Sequence, residues 1–149
     1  MITDARGVVF RTNPENGNIE FLVLESERLT ASKFRPQGHK LIEFPGGTNA
    51  ENTKEIPKDT LKREMLEETH LSFSDCKLVG EERIGVSTLR YNYLISFDDC
   101  TGEMRKEEIW DGQKKLSAPF WVEARELRHQ ICDTHQNLLL LAGRELGIY

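Results

Sequence analysis

"EFPGGTNAENTKEIPKDTLKREMLEETHL", residues 43 to 71, sets a double glycine one loop ahead of a strongly patterned helix. Pro57 suits the first helical turn, where its missing N–H is no loss, and Asp59 complements the positive end of the helix dipole. Leu61 and Met65 recur at four-residue spacing as one apolar edge, so the segment predicts a helix over residues 57 to 70. Positions three and four apart are neighbours on a helix, which gathers Glu64, Glu67 and Glu68 on one strip. Like charges crowded in this way repel. A hard divalent cation removes that cost, because Mg²⁺ and Mn²⁺ take oxygen ligands and acidify the waters they keep. Arg63 reaches Glu67 one turn on, and Gly46 and Gly47 let the backbone come close enough to offer a carbonyl to metal or amides to phosphate.

Outward from this stretch, ARGVVFR (5 to 11) and IEFLVLE (19 to 25) read as strands joined by the turn-rich TNPENGN, a hairpin. The long polar segment SERLTASKFRPQGHK follows, a functional or mobile loop by its length, whose cations Arg28, Lys33, Arg35 and Lys40 are candidates for meeting an anionic substrate. KLVGEERIGVS and TLRYNYLISF predict two further strands, the second alternating Leu89, Tyr91, Tyr93, Ile95 and Phe97 on one core-facing side. DDCTGEMRKEEIWDGQKK reads as a charged loop, with Glu108 and Trp110 as candidate substrate contacts, and APFWV as a short strand with Trp121 in the core. The end of the chain is helical in pattern, with Asp133 or Thr134 as the cap between two helices. Strands interleaved with helices predict an α/β fold, a mixed β-sheet packed between helices.

At 149 residues, with 38% hydrophobic and 30% charged content, the chain is sized for a single domain spanning residues 1–149. No stretch approaches the run of apolar residues needed to cross a membrane. The start, MITDARGVVFRTN, lacks the pattern of a secretory signal, so the expected location is cytoplasmic. A net charge of −5 argues against a nucleic-acid polymer as partner, since that binding rests on a basic footprint. Cys76, Cys100 and Cys132 show no metal or disulfide spacing and are expected to be reduced. The apolar LLLLAG near the C-terminus serves either the core or an interface, which leaves a homodimer as a candidate assembly.

The segment from Gly47 resembles the Nudix box of the MutT-like hydrolases, whose pattern is glycine, five residues, glutamate, seven residues, then R-E-apolar-x-E-E-x-G-apolar. Gly47 and Glu55 match the first two fixed positions, seven residues separate Glu55 from Arg63, and Arg63 to Leu71 reads R-E-M-L-E-E-T-H-L. Two departures stand out: seven residues rather than five lie between Gly47 and Glu55, and His70 replaces the closing glycine. The resemblance implies an α/β/α sandwich and Mg²⁺-dependent hydrolysis, with Mn²⁺ as an alternative ion, of a phosphoanhydride in a nucleoside diphosphate linked to another group. It implies Glu64, Glu67 and Glu68 with the backbone of Gly47 as metal ligands, and Arg63 as the residue that orients them. Glu55 stands behind the ligands, and Gly46, Gly47, Arg35, Glu108 and Trp110 are the substrate-binding candidates. The general base is open between the box residues Glu64 and Glu67, which are favoured, and Glu103, Glu107 or Glu108 of the later loop. A competing expectation is a Nudix-fold module that binds a nucleotide or a protein without catalysis.

Overall fold

A computed structural model describes residues 2–30, 36–49 and 54–149. The expected hairpin is formed by β1 (Ile2–Thr12) and β2 (Ile19–Arg28), with Phe10 opposite Phe21 and Thr12 opposite Ile19. Asn13 organises its turn, taking the amide of Glu15 on its side-chain oxygen at 2.8 Å. There follow β3 (Lys40–Glu43), β4 (Gly46–Thr48), α1 (Pro57–Thr69), β5 (Ser72–Phe73), β6 (Lys77–Ile84) and β7 (Thr88–Ser96). The remainder comprises β8 (Cys100–Thr101), β9 (Ile109–Asp111), β10 (Lys114–Leu116), β11 (Phe120–Glu123), α2 (Ala124–Leu127) and α3 (Gln136–Glu145).

Nine of these strands make one mixed sheet among the described residues, ordered β6-β7-β1-β2-β10-β9, with β4 on β1 and both β3 and β11 on β2. β1 and β7 run parallel; the other pairs in this sheet are antiparallel. β1 and β2 stay paired only next to their turn. Beyond it β1 takes β4, with Arg6 opposite Gly46, while β2 takes β3 and β10. Phe44 and Pro45 therefore lie in the fork of the sheet, where the carbonyl of Pro45 accepts the amide of Gly7 at 2.9 Å.

Alternation along β1 supplies both faces of the core. Ala5 and Val9 pack with Leu61 and Met65 of α1, together with Tyr93 and Ile95 of β7. Val8 packs on the other face with Phe21, Val23, Phe44, Leu94, Leu138, Leu139 and Ala142. Leu138 and Leu139 of LLLLAG thus belong to the core, while Leu140 is exposed.

Several expectations change here. On β7 the predicted stripe does face the core, but Arg90 and Asn92 between its members are buried as well, because α3 covers the opposite face. Arg90 meets the buried Asp4 at 2.7 Å and gives a second bond to the carbonyl of Thr134. The predicted cap is not made: Asp133 and Thr134 lie inside a 3₁₀ turn, and His135 precedes α3 without a side-chain cap. The charged loop is also partly ordered into sheet. Gly112-Gln113 makes a two-residue turn between β9 and β10, with Gly112 at φ 59°, a hairpin signal that the surrounding charges obscure.

Candidate active site

α1 forms where its sequence predicts it, with Ile56 preceding Pro57 and Asp59 in the first turn. Leu61 and Met65 are fully buried against the sheet, which fixes the rotation of the helix and turns the Arg63–Glu64–Glu67 strip outward. The helix ends at His70, whose backbone is left-handed at φ 66° and whose amide bonds the carbonyl of Leu66. His70 thus takes the conformation a closing glycine would adopt freely, at a steric cost for a non-glycine residue of about 1 kcal/mol.

One guanidinium organises the strip. Arg63 Nε and Nη2 clasp both oxygens of Glu55 at 3.0 and 3.1 Å, while Nη1 meets Glu64 at 2.9 Å and Glu67 at 3.5 Å. Nη2 also reaches the carbonyl of Thr48 at 3.1 Å, tying the loop strand to the helix. The expected Arg63–Glu67 contact exists, but it is the longest of the set; Glu55 is the bidentate partner, and its hydrogen bond does most to push the Arg63 pKa up. Thr60 Oγ1 donates a further bond to Glu55 at 2.8 Å. The two extra residues ahead of Glu55 therefore leave it in reach of Arg63. Residues 50–53 of that loop lie outside the described residues.

The double glycine meets Glu68 and, from its other side, Glu64. Gly46 sits at φ 147°, and its amide donates to Glu68 Oε1 at 2.8 Å. Glu68 is 5% exposed, and burial pushes its carboxyl up to about 7 against the opposing pull of Arg6 and of the Gly46 amide. Gly47 faces Glu64 so closely that a Cβ there would stand 2.6 Å from the carboxyl carbon. Burial raises the Glu64 pKa too, with Arg63 opposing and the charges of Glu67 and Asp111 adding to the rise. Behind Gly46, His135 Nδ1 accepts the Phe44 amide at 3.0 Å, and burial holds that imidazole well below its ordinary pKa. Arg6 donates to the carbonyl of Phe44 and to Asp4, each at 3.2 Å. These bonds fix the fork segment in front of the glutamates.

Among the described residues, no three ligating side chains are gathered around one point. Arg63 Nη1 lies between Glu64 and Glu67, and Glu68 is turned toward Gly46. The chemistry of the set nevertheless fits a hard divalent cation: it is all oxygen, and two of its carboxyls are pushed toward protonation by burial, a cost that a cation would offset.

Sequence reasoning missed three neighbours. Arg105, 4% exposed, bonds the carbonyls of Glu68 at 2.8 Å, Ser117 at 2.7 Å and Glu107, and its own amide bonds Thr69. It cross-links the end of α1 to the strands, yet nothing in GEMRKEE marks it among its charged neighbours. Asp111 and Lys114 stand opposite each other across the β9–β10 pair, their charges reaching Glu64 and Glu68 respectively. The structure brings Gly46, Gly47, Arg63, Glu64, Glu67 and Glu68 together. It does not bring Glu108 and Trp110 to them. Trp110 opposes Lys115, which bonds Glu27 at 3.1 Å and reaches Glu108 at 3.7 Å, and alternation puts this group on the opposite face from Asp111. Arg35 lies outside the described residues.

No protein-family model and no curated protein sequence matches the chain. Solved structures do. A MutT NUDIX hydrolase from Burkholderia pseudomallei superposes with a TM-score of 0.66 over 93% of this chain and 95% of its own, at 18% identity. The fold is that of the Nudix hydrolases. The NUDIX domain of Shewanella oneidensis NrtR, complexed with ADP ribose, gives a TM-score of 0.65 at 17% identity over 97% of this chain and 87% of its own. NrtR complexed with a 27mer DNA matches as well as that domain, with this chain covering 61% of it. α1, whose sequence resembles the box, ends at the left-handed residue His70. No helix among the described residues is long and apolar enough to cross a membrane.

Proposed function

We propose that this chain is a single Nudix domain over residues 1–149, a cytoplasmic pyrophosphohydrolase that uses Mg²⁺, or Mn²⁺ in its place. Its substrate is a nucleoside diphosphate linked to a further group: a nucleoside triphosphate, a dinucleotide or a nucleotide sugar. The observation that carries this reading is the single guanidinium of Arg63 holding Glu55, Glu64 and Glu67 beside a buried Glu68 bonded to the Gly46 amide. A charged strip of this kind is costly to assemble, and Nudix hydrolases, whose fold this is, generally use divalent metals. Glu64, Glu67, Glu68 and the backbone of Gly47 hold the ion. When bound, it supplies charge neutralisation on the phosphates and a more acidic water.

The chain's own groups do the rest. Arg63 fixes the rotamers of the carboxylates it touches, so that they meet the phosphate chain without reorganisation. A carboxylate takes the proton of the attacking water, and the box favours Glu64 or Glu67 for that task. Glu103 is tied to Lys106 on the surface at 2.7 Å, and Glu108 is on the far face of its hairpin. The Gly46–Gly47 backbone lets a phosphate approach closely. The expected result, in Mg²⁺ and not in EDTA, is release of phosphate or pyrophosphate from nucleoside triphosphates, or cleavage of dinucleoside polyphosphates into two nucleotides, or of nucleotide sugars or ADP-ribose into a nucleoside monophosphate and a sugar phosphate.

The NrtR likeness keeps a second reading in view, a nucleotide-binding module without turnover. Its signature is a raised melting temperature with ADP-ribose and silence across the whole panel.

A further inference from the structure

A row of charge crosses the sheet in front of the glutamates. Arg28 closes β2 directly opposite Lys114 of β10, and Lys114 stands directly opposite Asp111 of β9. Cross-strand partners share a face, so all three project to the same side. That side is continuous with Ser26, whose hydroxyl bonds Glu43 at 2.6 Å at the fork. The fork places the row relative to α1: Glu43 stands 4.0 Å from Arg6, which lies opposite Gly46, whose amide bonds Glu68 at 2.8 Å.

Among the described residues, the two cations of the row have no partner in the fold. Among the described residues, the half-buried Arg28 side chain makes no hydrogen bond or ion pair, and its Nε is fully buried without a partner. Lys114 is half-buried and likewise has neither hydrogen bond nor ion pair there, whereas its neighbour Lys115 is tied to Glu27 and Glu108. Burying the donor of a charged group without an acceptor is costly, and such a group is satisfied by a ligand that brings the acceptor with it.

We propose that Arg28 and Lys114 form an anion subsite that grips the side of the substrate's phosphate chain turned away from the glutamates. The inference rests on the hydrolase reading above and adds to it the residues that recognise the substrate as a pyrophosphate. A guanidinium matches phosphate geometry in bidentate fashion, and an ammonium adds a mobile point charge. Asp111 at the end of the row opposes anions, which sets the limit of the subsite on that side. Specificity then follows from charge: a compound carrying two linked phosphates offers one to the metal ligands and one to the row, and a monophosphate offers only one.

The test is calorimetric titration with inorganic pyrophosphate, in EDTA and in Mn²⁺, of the wild type and of Lys114→Ala, Lys114→Arg, Arg28→Gln and Lys115→Ala. Lys114→Ala and Arg28→Gln are expected to weaken pyrophosphate about ten-fold in both buffers, with Mn²⁺ affinity unchanged. Lys114→Arg is expected to retain binding, and Lys115→Ala to match the wild type. Wild-type affinity in Lys114→Ala, or an equal loss in Lys115→Ala, overturns the subsite. The two readings fail separately. Lys114-dependent binding in EDTA by a protein that ignores Mn²⁺ keeps the subsite and removes the metal site. Pyrophosphate binding that needs Mn²⁺ and is indifferent to Lys114 does the reverse.

Discussion

Glu67→Gln is expected to lower turnover by about 100-fold or more while leaving stability within about 0.5 kcal/mol of the wild type. The asymmetry comes from where the side chain sits. The Glu67 side chain is 57% exposed, and its partner among the described residues, Arg63 Nη1, is 3.5 Å away and shared with Glu64 at 2.9 Å. An exposed pair one helical turn apart contributes a few tenths of a kcal/mol, and removing the charge also relieves repulsion on Glu64. The fold therefore loses little. The reaction loses a charged ligand and a candidate base at once, and an amide replaces neither. Measuring kcat and KM separately, beside a urea midpoint, distinguishes this from unfolding. An active variant would remove Glu67 from the site.

Gly46→Ala is expected to cost more than about 3 kcal/mol, enough to lower the melting temperature sharply or to prevent folding. At φ 147° the backbone lies where side chains are strained, and an added Cβ would stand 2.1 Å from the carbonyl oxygen of Ala5 and 2.8 Å from Cα of Arg6. Both are backbone atoms of β1, held by the pairing of Arg6 with Gly46, so no rotamer change relieves the clash. The Gly46 amide would also be drawn off Glu68, leaving that carboxyl buried without its donor. Gly47 makes a contrast. The atoms a Cβ would meet there belong to the Glu64 side chain, which can turn aside, so the damage falls on the arrangement of ligands. Thermal unfolding of the Gly46 variant checks the prediction, and a stable protein would mean that β4 can slide against β1.

Much of this site was legible because it is local. Arg63, Glu64, Glu67 and Glu68 lie within six residues on one helix, so spacing alone places them together, and the Leu61–Met65 edge says which way they face. The early hairpin was legible for a similar reason, since its turn residues are adjacent in the chain. What was hidden depends on pairing at long range. Lys114 meets Arg28 across 86 positions only because β10 adds to β2 beyond the fork. Reading residues 98 to 115 as a loop removes the two-residue alternation that separates Asp111 from Trp110, so the exposed aromatic reads as a substrate contact. Arg90 and Asn92 read as the wet side of an amphipathic strand, because nothing within β7 announces that α3 covers it. His70 was recognisable as a substitute for glycine by its place in the box, and its left-handed backbone follows from that place.

That the carboxylates are crowded to hold a divalent cation is tested most directly by titrating Mn²⁺ into the protein and following the loss of the free-ion electron paramagnetic signal, for the wild type and for Glu64→Gln. The wild type is expected to take up Mn²⁺ and the variant to bind it at least about 10-fold more weakly. A wild type that leaves the Mn²⁺ signal undiminished, or a variant that binds as tightly, would contradict the account.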